Sequence, residues 1–379
     1  MSFESMPLRR SVITLFLTLA HLRRAAAQSG RPSARLGSPL CRTRFLVFQY
    51  GKVGSSMIEC MIAQSLGAGQ RAEFVRDVSH VAHAERAAPA TAARVCAALP
   101  ASVNTHNFDV ARFVLDCVRL HGDANAFWVI SLARELASRA PSAVYEHMGT
   151  ASREMPQASV GVQKIAAIVR AHVREVGAAF SRFDADLARG RRPRGGEGQR
   201  AAVRTPRLRQ EAKRLRDPWG SAWCNRVMHR NVCNFFTDLA WELRYDVGDG
   251  DAGGDRAGAR NLSDAAVVAR RAAPDWFPFP FDPVRRRAVV RAGTRGATHN
   301  LLLLRLEDQR HWPAIVQDLD LTPFGRTKGQ CQHVNVRSGG SRPFYERLKA
   351  HLNASWTQSD RRDLARCDTQ RIYPHALAF

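Results

Sequence analysis

Lysine is scarce in this 379-residue chain: Lys52, Lys164, Lys213, Lys328 and Lys349 are all that it has. Arginine supplies the rest of the basic residues, and 57 Lys+Arg against 34 Asp+Glu leave a formal charge of +23. A bias this lopsided, with abundant Ala and Gly, follows from GC-rich coding as readily as from selection for nucleic acid. No specific nucleic-acid partner is expected, although a field of this sign attracts phosphate, sulfate and acidic glycans. Close cysteine pairs are missing too. Cys41, Cys60, Cys96, Cys117, Cys224, Cys233, Cys331 and Cys367 contain no CxxC, which argues against structural zinc and leaves disulfides and free thiols both open. No apolar run reaches the ~20 residues of a membrane span, so no integral span is expected. The apolar fraction is nonetheless 45%, enough for a sizeable core, and global disorder is excluded.

Acidic residues are absent between Glu4 and Glu59. Residues 1–40 read as an address: Arg9-Arg10, an apolar run from Ser11 to Leu22, then Arg23-Arg24 and Ala25-Ala26-Ala27. That fits a signal peptide, and hence the secretory pathway or Golgi lumen. A plastid or mitochondrial transit peptide fits the same composition. Residues 41–379 form the expected catalytic α/β region, interrupted by loop-like Arg- and Gly-rich insertions near 186–217 and 246–273. Asn261-Leu-Ser263 and Asn353-Ala-Ser355 are glycosylation acceptors only in a secreted chain.

Between those breaks, short apolar runs alternate with helical periodicity. Phe45–Phe48, Ala126–Leu132 and Leu301–Leu306 read as buried strands, and Ser102–His106 as a weaker strand-to-loop segment. Helices are expected at Met57–Leu66, Val110–Leu120, Trp312–Leu319 and Phe344–Leu352. This alternation predicts a parallel sheet flanked by helices. In such folds ligands bind beyond the carboxyl ends of the strands.

Gln49-Tyr-Gly-Lys-Val-Gly-Ser-Ser56 follows the first strand and opens a helix. The amides of such a turn and the positive end of the helix stabilise an anion. Gly51 and Gly54 allow close approach, Lys52 adds charge, and Ser55 and Ser56 add hydroxyls. A plain helix cap is the alternative. The Walker A pattern GxxxxGK[ST] is absent, which disfavours a nucleotide triphosphatase.

The string Phe48-Gln-Tyr-Gly-Lys-Val-Gly-Ser-Ser56 resembles the 5′-phosphosulfate loop of sulfotransferases, and most closely the sulfotransferase-like group of capsular polysaccharide synthesis proteins. The resemblance covers roughly 44–150 and 300–375. It implies a P-loop-like fold and the cofactor 3′-phosphoadenosine 5′-phosphosulfate (PAPS). The cofactor would lie along Gly51, Lys52, Val53, Gly54, Ser55 and Ser56, with Lys52 at the transferring sulfuryl group. Arg134 and Ser142, eight residues apart, match the family's 3′-phosphate pair, and Arg139 matches a recurring arginine between them. Leu136 departs from the pattern, for the family prefers proline there. Asn104-Thr-His106 is similar to the Lys-Thr-His segment that carries the family's catalytic histidine, so His106 is the expected general base. His80, His83, Glu59 and Asp109 are alternatives, as is a purely structural His106. Arg305-Leu-Glu-Asp308 also looks like the end of a family strand, and His333–Arg342 like a late anion-friendly loop.

The resulting expectation is a PAPS-dependent sulfotransferase acting on a hydroxyl acceptor, most simply a carbohydrate, without a metal. A catalytically inactive polyanion-binding protein on the same fold and a P-loop nucleotide kinase are the competing readings.

Overall fold

The computed structural model describes residues 41–50, 53–66, 73–74, 89–142, 161–191, 234–245, 264–273, 276–319, 321 and 341–373. The address segment, most of both insertions and Asn261 lie outside these residues.

Seven strands form one sheet: β1 (Phe45–Phe48), β2 (Glu73–Phe74), β3 (Ser102–Thr105), β4 (Trp128–Ala133), β5 (Phe281–Asp282), β6 (Arg287–Val290) and β7 (Asn300–Arg305), in the spatial order β2-β3-β1-β4-β7-β6-β5. From β2 to β7 all neighbours are parallel, with Val47 of β1 level with both Asn104 and Ile130. Every residue of β1, β3 and β4 is buried. Strands covered on both faces read as unbroken apolar runs, which is why β1, β4 and β7 were visible in sequence.

The sheet is mixed rather than purely parallel. β6 runs antiparallel to both β5 and β7. A tight turn sets the β5–β6 pair: Asp282 Oδ1 accepts from the amides of Val284 and Arg285, both at 2.9 Å, and Arg286 adopts φ 58°. So short a connection can only return the chain beside itself, whereas a parallel neighbour needs a crossover.

The principal helices are α1 (Ser55–Leu66), α2 (Pro89–Ala97), α3 (Phe108–His121), α4 (Val162–Ala188), α5 (Phe235–Glu242), α6 (Asp264–Arg271), α7 (Trp312–Asp318), α8 (Ser341–Ser355) and α9 (Gln358–Ala365), with a further short one at 136–142. In α3, Phe108, Val110, Ala111, Val114, Leu115 and Val118 recur at helical spacing and are buried. Asn107 caps it, accepting from the Asp109 amide at 2.8 Å. A disulfide between Cys96 and Cys117, whose Cα atoms are 5.3 Å apart, ties α2 to α3. Cys60 and Cys367 are also disulfide-bonded, and Cys41 is a buried free thiol.

The insertion boundaries need correction. Helix α4 continues to Ala188, past the expected break at 186, and Leu187 is buried. Residues 264–271 form α6 instead of a loop, with Val267 in the core and Arg271 only 3% exposed. Composition concealed this because Arg271 looks like a surface residue. Its guanidinium instead donates to Asp184 (3.0 Å), Thr237 Oγ1 (2.6 Å) and Asn234 Oδ1 (2.9 Å), joining α4, α5 and α6. A buried cation is tolerable when each N–H finds such an acceptor.

Candidate active site

The carboxyl ends of β3, β1 and β4 lie side by side, and the sequence-predicted residues gather on the segments that leave them. β1 runs into buried Gln49 and Tyr50. Gly51 and Lys52 lie outside the described residues. Val53 is buried, and Gly54 sits at φ 91°, a left-handed conformation that suits glycine. A Cβ on Gly54 would collide with Leu306 Cδ1. Helix α1 then starts at Ser55 and includes Ser56.

His106 follows the last residue of β3. Its Nδ1 is 3.0 Å from the Gln49 carbonyl oxygen. An Nδ1–H donating to that acceptor fixes the tautomer in which Nε2 carries no proton. Asn107, not His106, caps α3. Asp109 instead lies in the first turn of α3, where it faces Arg112 at 3.5 Å. His80 and His83 lie outside the described residues.

Glu59, one turn along α1 from Ser55, is the alternative acid that the fold brings near. The Asn104 side-chain amide donates to its Oε1. Partial burial pushes the Glu59 carboxyl above the usual range, against the opposing effect of hydrogen bonds with Ser55 and Asn104.

Arg134 is the first residue beyond β4. Its backbone N–H donates to Tyr50 Oη at 2.8 Å, and that hydroxyl donates to the Arg134 carbonyl at 3.1 Å. The Arg134 side chain turns along the helix that follows, Nε donating to Ser138 Oγ at 3.0 Å. Ser142 lies one turn further and is buried. A spacing of four places Ser138 and Ser142 on one helix face, so Ser138 joins the expected Arg134–Ser142 pair. Arg139 has a different task. It is 5% exposed, donates through Nη2 to the Tyr50 carbonyl at 3.0 Å, and lies 5.1 Å from the centre of the Tyr50 ring. Burial drives the Tyr50 phenol well above its ordinary pKa, so it stays neutral and can keep donating.

Leu136 makes a contact that a proline would forbid. Its N–H donates to Gln370 Oε1 at 2.5 Å. Glu307 makes a second link to the C-terminal segment: Oε1 accepts from the Glu135 amide at 3.3 Å, and Oε2 from the Tyr373 hydroxyl at 2.9 Å. Arg305 pairs with Asp308 at 2.6 Å and donates to the Ile372 carbonyl at 3.1 Å. These contacts fix a loop beside the site. The loop His333–Arg342 lies almost wholly outside the described residues.

Tyr50, Ser138, Glu307 and Gln370 were not assigned roles by sequence reasoning. Ser138 alone had a usable signal, its i−4 spacing from Ser142. Among the described residues, no group of three His, Cys, Asp or Glu side chains could hold a metal ion. No helix among them is long and apolar enough to cross a membrane. The chain matches no family model, no curated protein and no solved structure.

Proposed function

We propose that this protein is a PAPS-dependent sulfotransferase with a P-loop-like sheet in a single domain over 41–379, transferring a sulfuryl group to a hydroxyl acceptor, most simply a carbohydrate. One observation carries the reading. The left-handed Gly54 turn at the start of α1, His106 after β3 and Arg134 after β4 emerge at the same edge of three adjacent parallel strands. That edge is where α/β folds bind ligands.

The residues present suit the anionic ends of such a cofactor. The first turn of α1 offers backbone amides and the Ser55 hydroxyl to one phosphate. Arg134, with Ser138 and Ser142 along the same helix, offers a guanidinium and hydroxyls to another. The Ser55 hydroxyl also hydrogen-bonds with the Glu59 carboxyl, which partial burial pushes above the usual range. When bound, PAPS supplies an activated sulfuryl group. His106 Nε2 accepts the proton of the attacking hydroxyl, its ring held by the Gln49 carbonyl. Lys52 offsets negative charge that develops at the leaving oxygen. The Cys96–Cys117 disulfide supports a lumenal or extracellular setting over a reducing one.

Titration of the full chain with 3′-phosphoadenosine 5′-phosphate, beside AMP and ATP, tests this. The expected result is binding that requires the 3′-phosphate and weakens at least tenfold in Arg134→Ala. Equal affinity for AMP or ATP would refute it.

A further inference from the structure

A cleft of about 460 Å³ opens beside the helix at 136–142, walled by α8, α9 and the start of the C-terminal segment. The roles assigned to Gly54, His106 and Arg134 do not use it. Its volume suits a ligand of one or two sugar rings. Lys349 and Arg361 bring two positive charges to the lining, whereas Glu135 brings a negative one; Ser138 and Asn353 add neutral hydrogen-bonding groups. Trp356 contributes an indole whose Nε1 is enclosed. What the indole presents to the cleft is therefore hydrocarbon ring, the surface on which the C–H face of a sugar packs.

We propose that this cleft binds an anionic saccharide, a sugar carrying one carboxylate or sulfate per residue. The two cations match the acid group, and an Arg–carboxylate or Arg–sulfate contact is charge-assisted. Glu135 and Asn353 accept from ring hydroxyls. The Glu135 carboxylate repels anions, so a ligand with one acid group suits the lining better than a polyphosphate. Lys349 pairs with Glu346 at 3.5 Å and lies 5.7 Å from the centre of the Tyr345 ring. Such a pair contributes little, so redirecting Lys349 to a ligand costs little. The cleft borders the proposed cofactor face and shares Ser138 with it. Its two cations, Lys349 and Arg361, come from α8 and α9 instead.

Isothermal titration of the full chain with the disaccharide of chondroitin 4-sulfate tests the proposal, with neutral N-acetyllactosamine and AMP as comparators. The expected outcome is saturable binding of the sulfated disaccharide, weakened roughly tenfold in Lys349→Gln and in Arg361→Gln. Arg285→Gln, a charge removal on the exposed β5–β6 turn, should leave it unchanged. Circular dichroism melts confirm that each variant is folded. Equal binding of the neutral disaccharide, equal loss in Arg285→Gln, competition by AMP or no binding at all would each overturn the proposal. The 3′-phosphoadenosine 5′-phosphate titration is read separately, so failure of the cofactor reading leaves this result interpretable.

Discussion

The phenol of Tyr50 clasps the backbone of Arg134 from both sides, accepting from its N–H at 2.8 Å and donating to its carbonyl at 3.1 Å. The two residues are 84 apart in the chain. Tyr50 itself is gripped at its own carbonyl by Arg139. The segment leaving β1 and the segment leaving β4 are thereby locked in one relative position, which is what a site spanning both requires.

Tyr50→Phe keeps the ring and removes the clasp. Two backbone groups of Arg134 lose a partner in a largely buried setting, so a loss of about 1–3 kcal/mol in unfolding free energy is expected. Affinity for 3′-phosphoadenosine 5′-phosphate should fall with it, because Arg134 is no longer held in place. Urea unfolding and calorimetric titration measure the two effects. Unchanged affinity in a folded variant would show that the clasp has no part in binding.

Leu136→Pro installs the residue expected from the sulfotransferase resemblance. Here it should destabilise, by roughly 1–3 kcal/mol, because the Gln370 side chain loses the N–H that it now accepts. Gln370→Ala should have an effect of similar size, and the two together should fall short of additive. A stabilised Leu136→Pro would mean that the Gln370 contact contributes nothing.

Asp368 predicts a dependence on pH. Burial raises its carboxyl from 3.8 to about 7, against the pull of the Arg271 charge and the hydrogen bonds from Thr237. Asp184 shares the same arginine, and Tyr50 lies within electrostatic reach. The folded protein therefore keeps a proton that the unfolded chain releases above about 4. The stability this gives is complete below the unfolded value and is lost as pH rises through about 7. Wild-type protein should be less stable at pH 8 than at pH 5, and Asp368→Asn should shrink that difference by at least ~1 kcal/mol. Chemical denaturation at the two pH values decides it.

Legibility from sequence followed burial on both faces. β1, β4 and β7 were plain because Phe45–Phe48, Trp128–Ala133 and Leu301–Leu304 are covered on each side and carry little polar punctuation. β5 and β6 escaped notice because they are short and half-exposed, with arginines between them. Helix α6 was mistaken for loop because its buried Arg271 has the composition of a surface residue. At the site, His106 and Arg134 stood out as charged or titratable residues directly after apolar runs. Tyr50, Glu307 and Gln370 did not, since their partners are 84, 66 to 172 and 234 residues away. Contacts of that range leave no local pattern.

Both outermost strands of the sheet, β2 at one margin and β5 at the other, are only two residues long. The β5 margin also carries Asp282, Arg285, Arg286 and Arg287 around its turn. A template this short and charged cannot seed a continuous ladder with a neighbouring molecule. At the described β5 margin, crowded copies of the folded chain are thereby steered away from fibre-like stacking.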